Sequence, residues 1–166
     1  EIMLRLTTPD NLRIQQSHDF LVSYGGSEAN VAISIANFGG DVDYITRLPD
    51  NALGETCLSE LRSHNIGTQN VLIGGKRLGT YYMEKAAAMR NSKVIYDRDG
   101  SAFSELKPGM IDWKEVFKDA DIFHWSGIDA ALTPGLADVC HEAIAVAKEI
   151  GLQVSYDINY RKNLWN

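Results

Sequence analysis

Short apolar runs alternate with amphipathic stretches along the chain, and this pattern predicts strands and helices in turn. Strands are predicted at Phe20–Tyr24, Val42–Leu48 and Val71–Ile73, where β-branched and aromatic residues cluster. A helix over Ser27–Phe38 separates the first two strands, and a second helix beginning near Pro49 separates the next two. This order is typical of a parallel sheet covered by helices.

The last third of the chain repeats this order. A short helix is predicted at Trp113–Lys118, followed by an apolar strand at Ile122–Trp125 that we expect to be buried on both faces. Thr133 caps an amphipathic helix and Pro134 is its first residue, while Val154–Asn159 forms the last strand. Ligands of such sheets bind beyond the carboxyl ends of the strands, so the polar residues that follow are candidates for a site.

Two β-rich runs in the middle of the chain have no helix between them. Thr80–Glu84 and Lys93–Arg98 are therefore expected to pair as antiparallel neighbours. Together with Phe20–Tyr24 they predict a small sheet separate from the parallel one, which we call the lid sheet. Its strands are placed near residues 18–24, 79–85 and 92–98. Apolar residues such as Val94 and Ile95, and the open edges of a small sheet, favour self-association through it.

A pair of glycines precedes the first long helix. Gly25 and Gly26 permit a sharp turn and leave backbone N–H groups uncovered, and Ser27 is the predicted N-cap. The helix is apolar nearly all round, so we expect it to be buried. Asn30 lies in its first turn, within reach of a ligand held by those N–H groups. The alternatives are a ligand-binding helix terminus and an ordinary glycine turn before a core helix.

Composition narrows the class of protein. The 166 residues are 45% hydrophobic and 23% charged, as in an ordinary globular domain. A net charge of −6 argues against a nucleic-acid or anionic-membrane surface, and no apolar run approaches the length of a membrane span. The four histidines are too far apart to suggest a metal site. Cys57 and Cys140 fall at apolar helix positions, which fits reduced thiols in a cytoplasmic protein.

The two ends of the sequence lie close to predicted strands. The chain begins within an apolar alternation, Ile2–Leu6, and stops soon after the last predicted strand. A strand without a following layer leaves apolar surface uncovered. We therefore expect the chain to be part of a larger protein.

Several short motifs follow one another in a recognisable order. They are Gly25–Asn30, Gly79–Tyr82, Tyr96–Arg98 with Ser101–Phe103, His124–Gly127 and Asp157–Arg161. In this order they resemble the ribokinase-type (PfkB) carbohydrate kinases, and most of all the 2-keto-3-deoxygluconate kinases. The resemblance covers residues 1–166 and implies a ribokinase-like α/β fold, with a parallel sheet flanked by helices and a small β-sheet lid. It identifies the chain as the N-terminal, sugar-binding part of that kinase domain, an incomplete half of the fold.

The chain departs from the family pattern in two places. Pro49 stands where the first family signature ends in glycine. The Gly-Ala-Gly-Asp motif, which by resemblance carries the catalytic base, is absent from these 166 residues. The resemblance therefore implies no catalytic residue in this chain and no kinase activity for the chain alone.

The resemblance also assigns binding residues. Those implied for the substrate are Gly26, Ser27, Glu28, Ala29, Asn30, Tyr81, Tyr96, Asp97, Arg98 and Arg161. Those implied for the nucleotide are Asn159, Tyr160 and Arg161, and none is implied for a metal. Arginine suits this task because its guanidinium binds carboxylates and phosphates through paired hydrogen bonds. Surface ion pairs of Arg98 with Asp97, and of Arg161 with Asp157, are the alternative.

Aromatic residues near the predicted site need separate treatment. Tyr81 and Tyr82 are adjacent in a strand and must face opposite ways, and the resemblance places Tyr81 toward the sugar. The alternative for Tyr81 and Tyr96 is packing within the lid sheet. We interpret Trp125 and Trp165 as packing residues.

The function implied by the resemblance is ATP- and Mg²⁺-dependent phosphorylation of 2-keto-3-deoxygluconate at its terminal hydroxyl. One alternative is a related kinase acting on a neutral sugar such as fructose or ribose. Another is a sugar-acid binding module without catalysis. The expected partner is a small sugar acid, without nucleic acid or membrane, in a cytoplasmic homo-oligomer.

Overall fold

The structure is a computed structural model that describes residues 1–162 and residue 164. It divides into two compact units, Glu1–Phe103 and Ser104–Asn166. The strands and helices of the first unit are β1 Met3–Thr7, β2 Leu21–Gly25, α1 Ser27–Asn37, β3 Thr46–Leu48, α2 Ala52–Ser63, β4 Val71–Ile73, β5 Thr80–Glu84 and β6 Lys93–Asp97. Those of the second are α3 Trp113–Val116, β7 Ile122–Ser126, α4 Gly127–Leu132, α5 Pro134–Glu149 and β8 Gln153–Asp157.

The first unit contains a four-stranded sheet in the order β2-β1-β5-β6. Strand β1 is antiparallel to β2 and parallel to β5, and β5 is antiparallel to β6. The three strands predicted for the lid sheet thus share one sheet, with β1 between two of them. A separate parallel pair, β3–β4, completes the strands of this unit. The α/β class with strands and helices in alternation is confirmed.

One face of the four-stranded sheet packs on the core of the first unit. Ile2 and Leu4 meet Ala29 of α1 and Leu61 of α2 in one buried apolar cluster. Because side chains alternate along a strand, Arg5 lies on the opposite face of the sheet. The strand register places Tyr81 of β5 beside it. Because one face of the sheet packs on the core, the residues on the other face are the ones available for a binding site.

Helix α1 differs from the prediction at both its start and its burial. The N-cap is Gly26, which has no side chain to bond to the first turn, and not the predicted Ser27. The hydroxyl of Ser27 donates to the carboxylate of Glu28 instead of capping the helix. Only Ala29 and Ala32 of this helix are buried, and Phe38, just after it, is 91% exposed. The expectation of burial all round was wrong, because within this unit the core contacts only one stripe of the helix.

Other boundaries shift for local reasons. Strand β3 is shorter than predicted, and Asp43 makes only an isolated bridge to Gly67. Helix α2 begins as expected near Pro49, with the Asn51 side chain accepting hydrogen bonds from two N–H groups of its first turn. The predicted burial of β7 on both faces was wrong within this unit, since Ile122 is 55% exposed.

The second unit is built around the parallel pair β7–β8 and helix α5. The hydroxyl of Thr133 accepts a hydrogen bond from the Leu136 N–H at 3.1 Å, so the predicted cap is confirmed. Helix α4, which the sequence pattern did not predict, begins at Gly127. A Cβ at Gly127 would lie 2.5 Å from the Ile158 carbonyl oxygen, so this helix start needs glycine.

None of the helices in residues 1–162 combines the length and hydropathy needed to cross a membrane. Cys57 is buried and Cys140 is partly buried, and neither forms a disulfide within the part of the chain that the structure describes. Burial raises the pKa of the Cys57 thiol to about 12, so it stays protonated and unreactive near neutral pH.

Candidate functional site

Two tyrosines meet on the face of the four-stranded sheet that lies away from the core. The register pairs Tyr81 of β5 with Tyr96 of β6, and their ring centroids are 5.8 Å apart. Tyr82, next in the strand, belongs to the opposite face, where Phe20 packs edge-on against it. The alternation that separates Tyr81 from Tyr82 therefore holds in the structure.

Arg98 follows β6 and folds back over the same face. Its guanidinium carbon lies 5.1 Å from the centre of the Tyr96 ring. Its Nη1 donates to Oε2 of Glu1 at 3.4 Å and also contacts the sulfur of Met3. Within residues 1–162, Nε and Nη2 make no hydrogen bond. One edge of the guanidinium is held while the other is left for a ligand.

Asp97 lies away from this cluster. Its side chain pairs with Arg77, with Nη2 to Oδ1 at 2.9 Å, and it projects from the face opposite to Tyr96. The ion pair considered between Arg98 and Asp97 does not form. The side chain of Asp97 thus lies on the opposite side of the sheet from those of Tyr96 and Arg98, because adjacent strand residues point to opposite sides.

The glycine turn lies beside the tyrosine pair. A Cβ at Gly25 would be 2.6 Å from the Tyr81 hydroxyl oxygen, and a Cβ at Gly26 would be 2.2 Å from the Glu1 carbonyl oxygen. Gly26 has φ −177°, an extended conformation open to any residue, so space and not backbone strain requires glycine there. Because Gly25 and Gly26 have no side chains, Tyr81 and Glu1 can pack closely against the start of α1.

The remaining residues of the turn have different surroundings. Asn30 is exposed, and within residues 1–162 its side-chain amide makes no hydrogen bond. Ala29 is 1% exposed and belongs to the core. Ser27 and Glu28 bond to each other, and Glu28 also lies 3.2 Å from the Glu1 amino nitrogen. Of these four side chains, Asn30 alone is free to meet a ligand.

The electrostatic environment of Tyr81 identifies a residue that the sequence analysis missed. Burial is the main cause that raises the pKa of the Tyr81 phenol, while the nearby charge of Arg5 lowers it. Arg5 is the register partner of Tyr81 across β1 and β5, and its Nε donates to Thr7 at 3.1 Å. The alternation of side chains along β1 places Arg5 on the face away from the core. That Tyr81 is its neighbour follows only when the pairing of β1 with β5 is known.

The nucleotide candidates follow β8 in the second unit. Asp157 accepts a hydrogen bond from the Asn159 N–H at 3.0 Å and thereby shapes the next loop. Arg161 is exposed, and within the described residues its guanidinium hydrogen-bonds only to the carbonyl of Tyr160, at 3.4 Å. The ion pair considered between Arg161 and Asp157 is absent from the described residues, so this arginine is available to an anion.

Two further candidates concern packing and metals. The ring of Trp125 packs against Tyr156 with centroids 4.4 Å apart, as expected of a packing residue, whereas Trp165 lies outside the described residues. The described residues contain no group of three or more His, Cys, Asp or Glu side chains that could hold a metal ion.

The sequence is similar to one family along its whole length. The family profile described as pfkB family carbohydrate kinase matches residues 1–166. The 2-dehydro-3-deoxygalactonokinase of Haloferax volcanii is 33% identical over 166 residues, which are 100% of this chain and 52% of that protein. Probable fructokinase-2 of Arabidopsis thaliana is 29% identical over 159 residues, which are 95% of this chain and 47% of that protein.

The fold is similar to solved structures as well. The 2-dehydro-3-deoxygluconokinase of Thermotoga maritima superimposes with a TM-score of 0.97 at 45% identity, over 99% of this chain and 51% of that one. The chain thus spans about half the length of the curated relatives it matches. The family, the fold class and the similarity to sugar-acid kinases agree with the motifs.

Proposed function

Because the chain belongs to the pfkB family of carbohydrate kinases, we propose that it is the sugar-binding part of an enzyme that phosphorylates 2-keto-3-deoxygluconate with ATP. The family membership supports a sugar kinase. Similarity to a 2-dehydro-3-deoxygalactonokinase and to a 2-dehydro-3-deoxygluconokinase supports a sugar acid as the substrate.

The observation that carries the proposal is that Nε and Nη2 of Arg98 make no hydrogen bond within the described residues, and we call this unbonded side of the guanidinium its open edge. A 2-keto-3-deoxy acid presents a planar carboxylate, and a guanidinium binds that group through two parallel hydrogen bonds. With Nη1 held by Glu1 at 3.4 Å, Nε and Nη2 remain for the acid. Tyr81 and Tyr96 lie beside it and supply ring faces and hydroxyls for the carbon chain.

The glycine turn completes the proposed substrate contacts. Gly26 brings backbone close to Glu1 without a side chain in the way, and Asn30 offers an exposed amide one turn further along α1. We assign these two residues to hydroxyl groups or to the keto oxygen of the substrate. Ser27, Glu28 and Ala29 act through the shape of the turn.

The proposed phosphate contacts belong to the loop after β8. Arg161 is exposed and without a carboxylate partner in the described residues, so it suits the phosphates of ATP or the carboxylate of the acid, and Asn159 and Tyr160 flank it. When bound, Mg²⁺ would neutralise phosphate charge. The described residues contain no group of three or more His, Cys, Asp or Glu side chains that could hold it. Phosphoryl transfer needs positioning and neutralisation of charge more than a protein nucleophile.

A fructokinase activity is the second candidate, favoured by the similarity to probable fructokinase-2 of Arabidopsis thaliana. A neutral ketose has no carboxylate for Arg98. The two candidates therefore differ in a measurable way, because only an acid substrate makes use of the open edge of the guanidinium.

The assay that tests the proposal compares substrates in the full-length protein. With ATP and Mg²⁺, we expect the kcat/KM for 2-keto-3-deoxygluconate to exceed that for fructose, while the 166-residue chain alone shows no turnover because it lacks the Gly-Ala-Gly-Asp motif. Preferential phosphorylation of fructose would contradict the proposal that the substrate is a sugar acid. Turnover by the 166-residue chain would contradict the expectation that the catalytic base lies outside these residues.

We also propose that the protein is a cytoplasmic homo-oligomer that associates through the four-stranded sheet. Val94 and Ile95 of β6 are 40% and 42% exposed, and β6 is an edge strand. Exposed apolar residues on an edge favour pairing with another chain. Sedimentation velocity of the full-length protein at micromolar concentration is expected to show an oligomer, and a clean monomer would contradict this.

A further inference from the structure

Glu1 is a buried carboxylate with no assigned role in the proposed site. Its side chain is 3% exposed, and a charge so placed is costly unless it is paired and hydrogen-bonded. The hydroxyl of Ser101 donates to Oε1 at 2.7 Å, and Nη1 of Arg98 lies 3.4 Å from Oε2. The two carboxylate oxygens thus face different partners, which fixes the plane of the group.

The surrounding backbone leaves this carboxylate little room to move. A Cβ at Gly79, just before β5, would lie 2.5 Å from Oε1 of Glu1. On the backbone side, the Glu1 carbonyl occupies the space that a side chain at Gly26 would need. The backbone carbonyl of Glu1 therefore lies beside Gly26 of the glycine turn, and its side-chain carboxylate bonds to Arg98.

An arginine binds a carboxylate through paired hydrogen bonds only when its guanidinium plane is correctly oriented. The Arg98 side chain has several rotatable bonds, and stacking over Tyr96 at 5.1 Å leaves rotation within the stacking plane open. The hydrogen bond from Nη1 to Glu1 removes that freedom. It directs the opposite edge, Nε and Nη2, away from Glu1.

We infer that Glu1 is a positioning residue for substrate recognition, whose carboxylate orients Arg98 so that its free edge meets the carboxylate of a sugar acid. The inference rests on the proposed function, since it takes Arg98 as the acid-binding residue. Glu1 itself does not touch the substrate in this account. Its effect is on which sugars are accepted.

The test uses Glu1→Gln in the full-length protein. Glutamine keeps the shape and can still accept from Ser101, but it removes the charge that holds Arg98. We expect kcat/KM for 2-keto-3-deoxygluconate to fall about tenfold, mainly through KM, with fructose turnover unchanged. Glu1→Asp retains the charge and should recover part of the loss. Ser101→Ala is the matched control: it removes the hydrogen bond to Oε1 but leaves the contact of Oε2 with Arg98, so it should lower the acid-to-fructose ratio less than Glu1→Gln does.

A double-mutant cycle decides whether Glu1 acts through Arg98. In the Arg98→Ala background, Glu1→Gln is expected to cost nothing further for the acid. Equal losses for acid and fructose in Glu1→Gln, or a full additive loss in the double variant, would overturn the inference. If Arg98→Ala itself fails to discriminate between the substrates, the proposed function is at fault instead. Should Glu1→Gln fail to fold, Glu1→Asp decides, since an unchanged acid-to-fructose ratio in that variant also overturns the inference.

Discussion

Arg98→Ala in the full-length protein is expected to lower kcat/KM for 2-keto-3-deoxygluconate by about ten- to a hundredfold while leaving fructose turnover nearly unchanged. A desolvated, charge-assisted hydrogen bond contributes roughly 1.5–3 kcal/mol, which corresponds to this factor. The Arg98 side chain is 11% exposed and lies over Tyr96, so its contact with an acid would be largely shielded from water. The measurement is kcat/KM for each substrate at saturating ATP.

Loss of stability must be separated from loss of recognition in that variant. Removing Arg98 also removes a partner of the buried Glu1 carboxylate, which destabilises the unit. Destabilisation lowers the activity toward both substrates alike, whereas a lost carboxylate contact lowers activity toward the acid alone. Arg98→Lys keeps the charge but not the paired geometry and should recover activity only in part. Equal losses for both substrates in Arg98→Ala would show that Arg98 only holds the sheet together.

Arg161→Ala is expected to lower kcat by about 10²–10³-fold, the usual cost of removing one group that stabilises charge in a transition state. In the described residues the only hydrogen bond of its guanidinium is to the Tyr160 carbonyl at 3.4 Å, so the melting temperature should stay the same. Steady-state kinetics with varied ATP and thermal unfolding of the same preparation measure both effects.

Lys162→Ala is the matched control for Arg161→Ala. The two cations are adjacent and exposed, and each substitution removes one positive charge. Lys162→Ala should leave kcat within a factor of about two, because an exposed charge without a specific contact contributes little. Similar losses in the two variants would assign the effect to net charge, and an unchanged kcat in Arg161→Ala would remove this residue from the phosphate site.

Local signals account for what the sequence predicted well. Strand β5 has the predicted bounds, Thr80–Glu84, and β6 ends one residue before the predicted Arg98. The cap at Thr133 and the start of α2 at Asn51 follow from side chains that bond within four residues. Such contacts need no knowledge of the tertiary structure, so periodicity and capping residues are sufficient to predict them.

Contacts distant in sequence account for what was missed. The partner of Arg98 is Glu1, 97 residues away, and the expected neighbour Asp97 pairs with Arg77 instead. The place of Arg5 beside Tyr81 depends on the parallel register of β1 and β5. The apolar pattern of α1 also does not indicate which side of the helix packs on the core, so it could not predict that the other side is exposed.

A crystal structure of the full-length protein with 2-keto-3-deoxygluconate bound tests the central claim most directly. The account predicts that the carboxylate of the acid lies within hydrogen-bond distance of Nε and Nη2 of Arg98, next to the Tyr81 and Tyr96 rings, while Nη1 stays on Glu1. A carboxylate bound elsewhere, with Arg98 contacting only Glu1, would contradict it.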